Sequence, residues 1–170
     1  MNKTRELPIA ALMIALGIVL PMGFHMFNMG GPAFLPMHIP VLIGGFILSP
    51  MYALAVGVLT PMLSSILTSM PAIMPMLPIM AFELGTYGLV ISILRKKTKL
   101  PDLVVLLIAM ILGRIVAGAV VFVMTSLFTV KLPPAHVFVQ GAIVTGLPGI
   151  IIQLILVPAA LYLLRKSKNI

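Results

Sequence analysis

Apolar segments recur along this chain at about 8–24, 39–49, 50–70, 78–95, 102–129 and 138–164, and only Glu83 and Arg114 place a charge well inside one of them. A bilayer crossing takes about 20 helical residues. Most of the segments approach or exceed that length. The 39–49 segment falls well short, so it reads as a short helix or one that borrows residues from the loop before it. Charged residues amount to only 8% of the chain and apolar ones to 61%, too little polar surface to cover a water-soluble fold. Lipid must therefore be the solvent for most of the molecule. This excludes a soluble enzyme, a nucleic-acid reader and a disordered regulator. The absence of cysteine excludes disulfides, thiolate catalysis and Cys-ligated metals. No Walker-type glycine-rich loop is present, so the chain does not hydrolyse ATP by that route.

The expected architecture is a single integral membrane domain over residues 1–170, an all-α bundle of six transmembrane helices. Lys3 and Arg5 before an apolar run imitate a secretory signal, but no convincing small-residue cleavage site closes that run, so it reads as an uncleaved first helix. The net charge of +8 sits at span ends. Lys3, Arg5, Arg95, Lys96, Lys97, Lys99, Arg165, Lys166 and Lys168 fall on one side of a six-span topology, and only Lys131 falls on the other. The positive-inside rule makes the crowded side cytoplasmic, which predicts both termini inside. Pro40, Pro50, Pro78 and Pro101 stand at or near first-turn positions, where a missing N–H costs nothing. Pro61, Pro148 and Pro158 fall inside spans and should kink them.

Counting along the helices brings the polar residues together. Glu83 precedes Arg95, and Arg114 follows Asp102, by the same number of positions. At about 1.5 Å per residue, each lies roughly 18 Å from the basic ends of two helices joined as a hairpin. Gln153 on the last helix reaches almost the same level, and Tyr87 lies one turn from Glu83 on the same face. An intramembrane charge normally faces the interior and has a partner. Two readings follow: a Glu83–Arg114 pair that fixes helix register, or polar groups at the floor of a ligand pocket. The outer linkers, roughly Phe24–His38 and Thr68–Leu77, favour the pocket, because they are apolar, rich in Gly, Pro and Met, and almost free of charge. Such loops fold back as lids or walls more often than ordinary connections do.

His25, His38 and His136 are all expected on the outer side, outside the spans. His25, Asn28, His38 and Gln140 are therefore candidate ligand contacts above the Glu83 layer. Eight methionines, Met22, Met26, Met29, Met37, Met70, Met74, Met76 and Met80, also fall in or beside the outer loops. Thioethers can bind Cu(I), but an adaptable apolar pocket lining is the commoner use, and neither a metal nor a cofactor is expected. Ser64, Ser65 and Thr68 have no acid or histidine at helical spacing, so the chain does not read as an enzyme. On the first helix, Ala11 and Ala15 form a small-xxx-small step that permits close helix approach in lipid.

Met37-His38-Ile39-Pro40 resembles the amino-terminal segment of nickel and cobalt uptake proteins, but here the motif is internal, so no terminal amine can join a ligand set. A broader resemblance covers nearly the whole chain. The basic start with Ala11-x-x-x-Ala15 and the run from His38 through Gly44-Gly45 and Ser49-Pro50 to Thr60-Pro61 resemble the substrate-binding (S) components of energy-coupling factor (ECF) transporters, where Gly is usual at the position of Ser49. Phe82-Glu83-Leu84-Gly85-Thr86-Tyr87-Gly88 and Gly113-Arg114 resemble a vitamin-transporting subgroup, pantothenate being the best match.

The resemblance implies a six-helix subunit that captures a vitamin or other micronutrient at the extracellular side of a prokaryotic plasma membrane. Loops after helices 1 and 3 would cover the site. A transmembrane coupling subunit would seat on helix 1 at Ala11 and Ala15, and two cytosolic ATPase subunits would drive uptake. Arg114 and Lys131 could meet a carboxylate, and Glu83, Asn28 and Gln140 could meet hydroxyls or amides. Cobalamin, a pyridoxine-like compound or a queuosine precursor are alternative ligands. A stand-alone carrier or channel, or a non-transporting scaffold or sensor, are the alternatives from other classes.

Overall fold

A computed structural model describes residues 3–26, 31–128 and 130–167. The described residues form α1 (Lys3–Met26), α2 (Gly31–Phe34), α3 (His38–Ile47), α4 (Pro50–Thr68), α5 (Met76–Lys97), α6 (Asp102–Leu127) and α7 (Ala135–Lys166). All are helical because lipid leaves no water for an exposed amide, and a helix satisfies its own backbone. By length and composition, α1, α4, α5, α6 and α7 are able to cross a membrane, while α3 is shorter. The linker expected between residues 24 and 38 is only partly a loop, since α1 continues to Met26 and α2 follows. The last helix starts at Ala135, a little earlier than its apolar run suggests. The helices run on through Pro61, Pro148 and Pro158.

Basic side chains crowd one end, hereafter the basic end. Arg95, Lys96 and Lys97 close α5 and Arg165 and Lys166 close α7, where the negative pole of a helix dipole favours them. Arg165 holds Asp102, the first residue of α6, with bonds of 2.6 and 3.1 Å.

The depth of α3 decides the site. Its C-terminal side is pinned at the basic end: Leu48 O accepts from Ser92 Oγ (2.6 Å), and Ser49 N donates to Glu6 Oε2 on α1 (2.9 Å). Its 10 residues climb only about 15 Å, roughly half the hydrocarbon thickness. His38 therefore starts α3 deep inside the bundle. The expectation of His38 in the outer layer is corrected accordingly: the side chain is buried, at 3% exposure.

The core is tightest where α4 meets α5. Gly57 faces the carbonyl of Leu84 and the Cα of Gly85, and Gly88 faces the carbonyl of Ala53, so the two backbones touch. Small residues permit such approach in lipid, where packing rather than hydrophobic transfer drives association. Val41, Leu42, Val56, Leu84, Ile91 and Leu106 fill the interior around this contact. On α1, Ala10, Met13 and Gly17 face the bundle, with Gly17 against Thr60. Ala11 and Ala15 lie on the exposed face, among exposed Leu12, Leu16 and Val19.

Candidate functional site

Helical spacing and a missing side chain assemble the centre of the site. Glu83 and Tyr87 are one turn apart on α5, and the Tyr87 hydroxyl donates to Glu83 Oε1 at 2.6 Å. Arg114 Nη1 on α6 reaches the same oxygen at 2.9 Å. Gly113 makes room for this arrangement, because any Cβ there would overlap the Tyr87 ring. From the other side the His38 ring leans on Tyr87, centroids 5.8 Å apart and planes tilted by 54°. Glu83 is almost fully enclosed, whereas the Arg114 side chain keeps 14% of its surface open.

Gln153 of α7 completes the layer and is fully buried. Its Nε2 donates to Leu35 O at 3.4 Å, and the same carbonyl accepts the backbone N–H of His38 at 3.1 Å. Leu35 holds a left-handed φ of 50°, a conformation that costs a branched residue energy and persists only where its surroundings enforce it. Just before it, Phe34 packs its backbone against Gly149 of α7. The first linker is thereby fastened to both α3 and α7. Gln153 Oε1 and His38 Nδ1 have no hydrogen-bond partner among the described residues. Buried polar atoms are normally paired, so two such atoms in one layer are a specific feature of this site.

A cleft of about 560 Å³ lies between α6 and α7 with Tyr87 at its back, and Arg114, Gln153 and His136 are its polar lining. Its remaining walls are apolar, including Met110, Ile111, Val139 and Ile143. A volume in this range suits a small organic ligand. Among the described residues the arrangement offers a guanidinium, an amide oxygen and an imidazole nitrogen, and no paired nucleophile and base. It can bind and orient a solute. Among the described residues no group of three or more His, Asp or Glu side chains is placed to hold a metal ion.

The structure brings together Glu83, Tyr87, Arg114, Gln153 and His38, the last at the level of Tyr87 rather than above it. Gln140 is exposed on α7 and stands outside the cleft, as does exposed Lys131. Asn28 and the side chain of His25 lie outside the described residues. Among the described residues the outer methionines do not form the cleft wall: Met37 is packed in the core, Met22, Met70, Met74 and Met76 are exposed, and Met110 lines the cleft, while Met29 and the side chain of Met26 lie outside the described residues. His136, passed over in the sequence, does line it. It does so because α7 begins early enough to carry it in its first turn.

Among the described residues, five membrane-capable helices, a short buried one and a polar layer beneath a cleft define a multi-pass membrane protein with room for a solute. Comparison of sequences gives it a family. The model described as ECF transporter, substrate-specific component, matches residues 5–161, and the chain belongs to that family. It is thus a substrate-binding subunit of an ECF importer, a transport subunit of the prokaryotic plasma membrane. No curated protein and no solved structure matches it.

Proposed function

We propose that this chain captures a small vitamin, pantothenate in particular, at the extracellular side and hands it to a transmembrane coupling subunit powered by two ATPases on separate chains. In this reading residues 1–170 form one membrane domain of six spans, α3 and the first linker together filling the second, with both termini cytoplasmic. Arg114 receives the carboxylate. Gln153 Oε1 and His38 meet hydroxyl or amide groups, while Glu83 and Tyr87 hold the guanidinium in place, and His25, Asn28 and Gln140 serve the approach from outside. The exposed Ala11–Ala15 step of α1 seats the coupling subunit. The observation that carries the reading is a buried guanidinium bordering an apolar cleft of ligand size, beside two buried polar atoms without partners. That volume suits a compact vitamin better than a corrinoid.

The test is a cycle of Glu83→Gln, Arg114→Gln and the double variant, scored for melting in detergent and for binding of pantothenate. Either single change should cost about 3–5 kcal/mol by stranding a buried charge, and the double change should recover much of it. Pantothenate affinity should remain down tenfold or more in the double variant, about 1.4 kcal/mol. A double variant that binds pantothenate like wild type removes both residues from the site. A different small molecule co-purifying with the wild-type protein replaces pantothenate and leaves the pocket reading standing.

A further inference from the structure

A second cavity, of about 290 Å³, opens at the basic end, far along α7 from the cleft. Phe46 and Ile47 of α3, Leu161 and Leu164 of α7, and the side chains of Arg95 and Arg165 line it. It exists because α3 ends at Ile47 while α5 and α7 continue past that level to Lys97 and Lys166. We propose that this cavity binds the phosphodiester headgroup of an anionic phospholipid, with acyl carbons against its apolar wall.

Charge and position both point to that ligand. Asp102 is the acid beside the two arginines: Arg165 grips it at 2.6 Å, and Arg95 approaches it only to 3.9 Å. One carboxylate between two guanidiniums leaves one positive charge over, matching the single negative charge of a phosphodiester. Arg95 keeps most of its donors free, and a guanidinium fork suits phosphate oxygens. Both arginines are partly exposed, at 37% and 41% of their side-chain surface, so a headgroup can reach them. The apolar half of the lining separates this cavity from a purely aqueous anion site. It sits at the end where α5 and α7 leave the apolar zone, beside Lys96, Lys97 and Lys166. Basic pockets between spans at such an interface are suited to anionic headgroups.

The experiment is a titration of the detergent-solubilised full chain with phosphatidylglycerol, read by native mass spectrometry, with phosphatidylcholine as control. Wild type should bind one phosphatidylglycerol in preference to phosphatidylcholine. Arg95→Gln should weaken that binding about tenfold, roughly 1.4 kcal/mol. Leu164→Trp should do the same by filling the cavity with both guanidiniums in place. Lys97→Gln with Lys99→Gln, which removes two charges outside the cavity, should change it less than about twofold if a built site rather than general attraction is responsible. Retained binding in Leu164→Trp, or an equal loss in the lysine variant, overturns the proposal. Full displacement by inorganic phosphate also overturns it, making the site one for free phosphate. Arg95→Gln that keeps the lipid but no longer co-purifies with a coupling subunit overturns it in favour of a protein contact.

Discussion

The two sides of the bundle are built by different rules. Where α4 meets α5, glycines let backbone touch backbone, and the residues between them are buried. Where α6 faces α7, side chains of intermediate size hold the helices apart, and the cleft occupies the gap. The helices on that side are tied at the basic end by Arg165 and Asp102, and at the other Ala135 and Phe138 of α7 pack against the apolar cluster that holds Ala117, Val121 and Met124 of α6. Close packing fixes the position of Glu83 and Tyr87, while loose packing leaves space for a solute next to Arg114. A rigid half thus carries the anchoring groups and a yielding half carries the volume.

The largest effect that would break this comparison belongs to Gly57→Ala. Its Cβ meets main-chain atoms of Leu84 and Gly85, including the Gly85 Cα at 2.7 Å, and a backbone cannot step aside as a side chain can. Loss should exceed about 4 kcal/mol, the range of disruptive core changes, seen as failure to recover monodisperse protein. A melting temperature near wild type would show that the two halves are equally yielding.

Glu6→Gln comes next. It weakens a partly buried, charge-assisted bond to the amide of Ser49, the N-cap residue of α4, and should cost about 1–2 kcal/mol in thermal unfolding. An unchanged midpoint would mean that α1 is held by apolar packing alone.

On the open side the sign should reverse. Gly141 on α7 has nothing within 4 Å of an added Cβ, so Gly141→Ala should raise stability by about 0.5–1 kcal/mol through helix propensity. A loss would reveal packing on α7 that the described structure does not contain. The smallest stability change belongs to Ala11→Leu with Ala15→Leu, within about 0.5 kcal/mol because both residues are exposed. The same pair should nevertheless abolish co-purification with the coupling subunit; retained assembly removes α1 from the proposed seat.

Counting residues from the basic ends was enough to place Glu83, Arg114 and Gln153 in one layer, because each stands on a helix that reaches that end. Tyr87 followed from helical spacing. His38 was misplaced because its depth depends on where α3 is pinned, and the pins are contacts between residues 43 and 44 positions apart. Gln140 stands outside the cleft for another reason: Val139 and Ile143 turn toward it, and helix rotation leaves Gln140 on the exposed face. The partner of Glu6 has no local sequence signal at all. Of the described methionines, Met22, Met70, Met74 and Met76 are exposed and Met37 is in the core, whereas the cleft opens between α6 and α7 and takes Met110.

The short reach of α3 has a mechanical consequence. Above His38 the chain continues as a non-helical step at Leu35–Met37 and the single turn of α2. Among the described residues, a solute travelling to Tyr87 along that side would have to part Leu35 from its two donors and from Gly146, and Phe34 from Gly149 and from the Phe24 ring. No transmembrane helix would need to unwind or lose its backbone ladder. Opening on that side would therefore cost side contacts alone, while the spans beside it keep their backbone bonds.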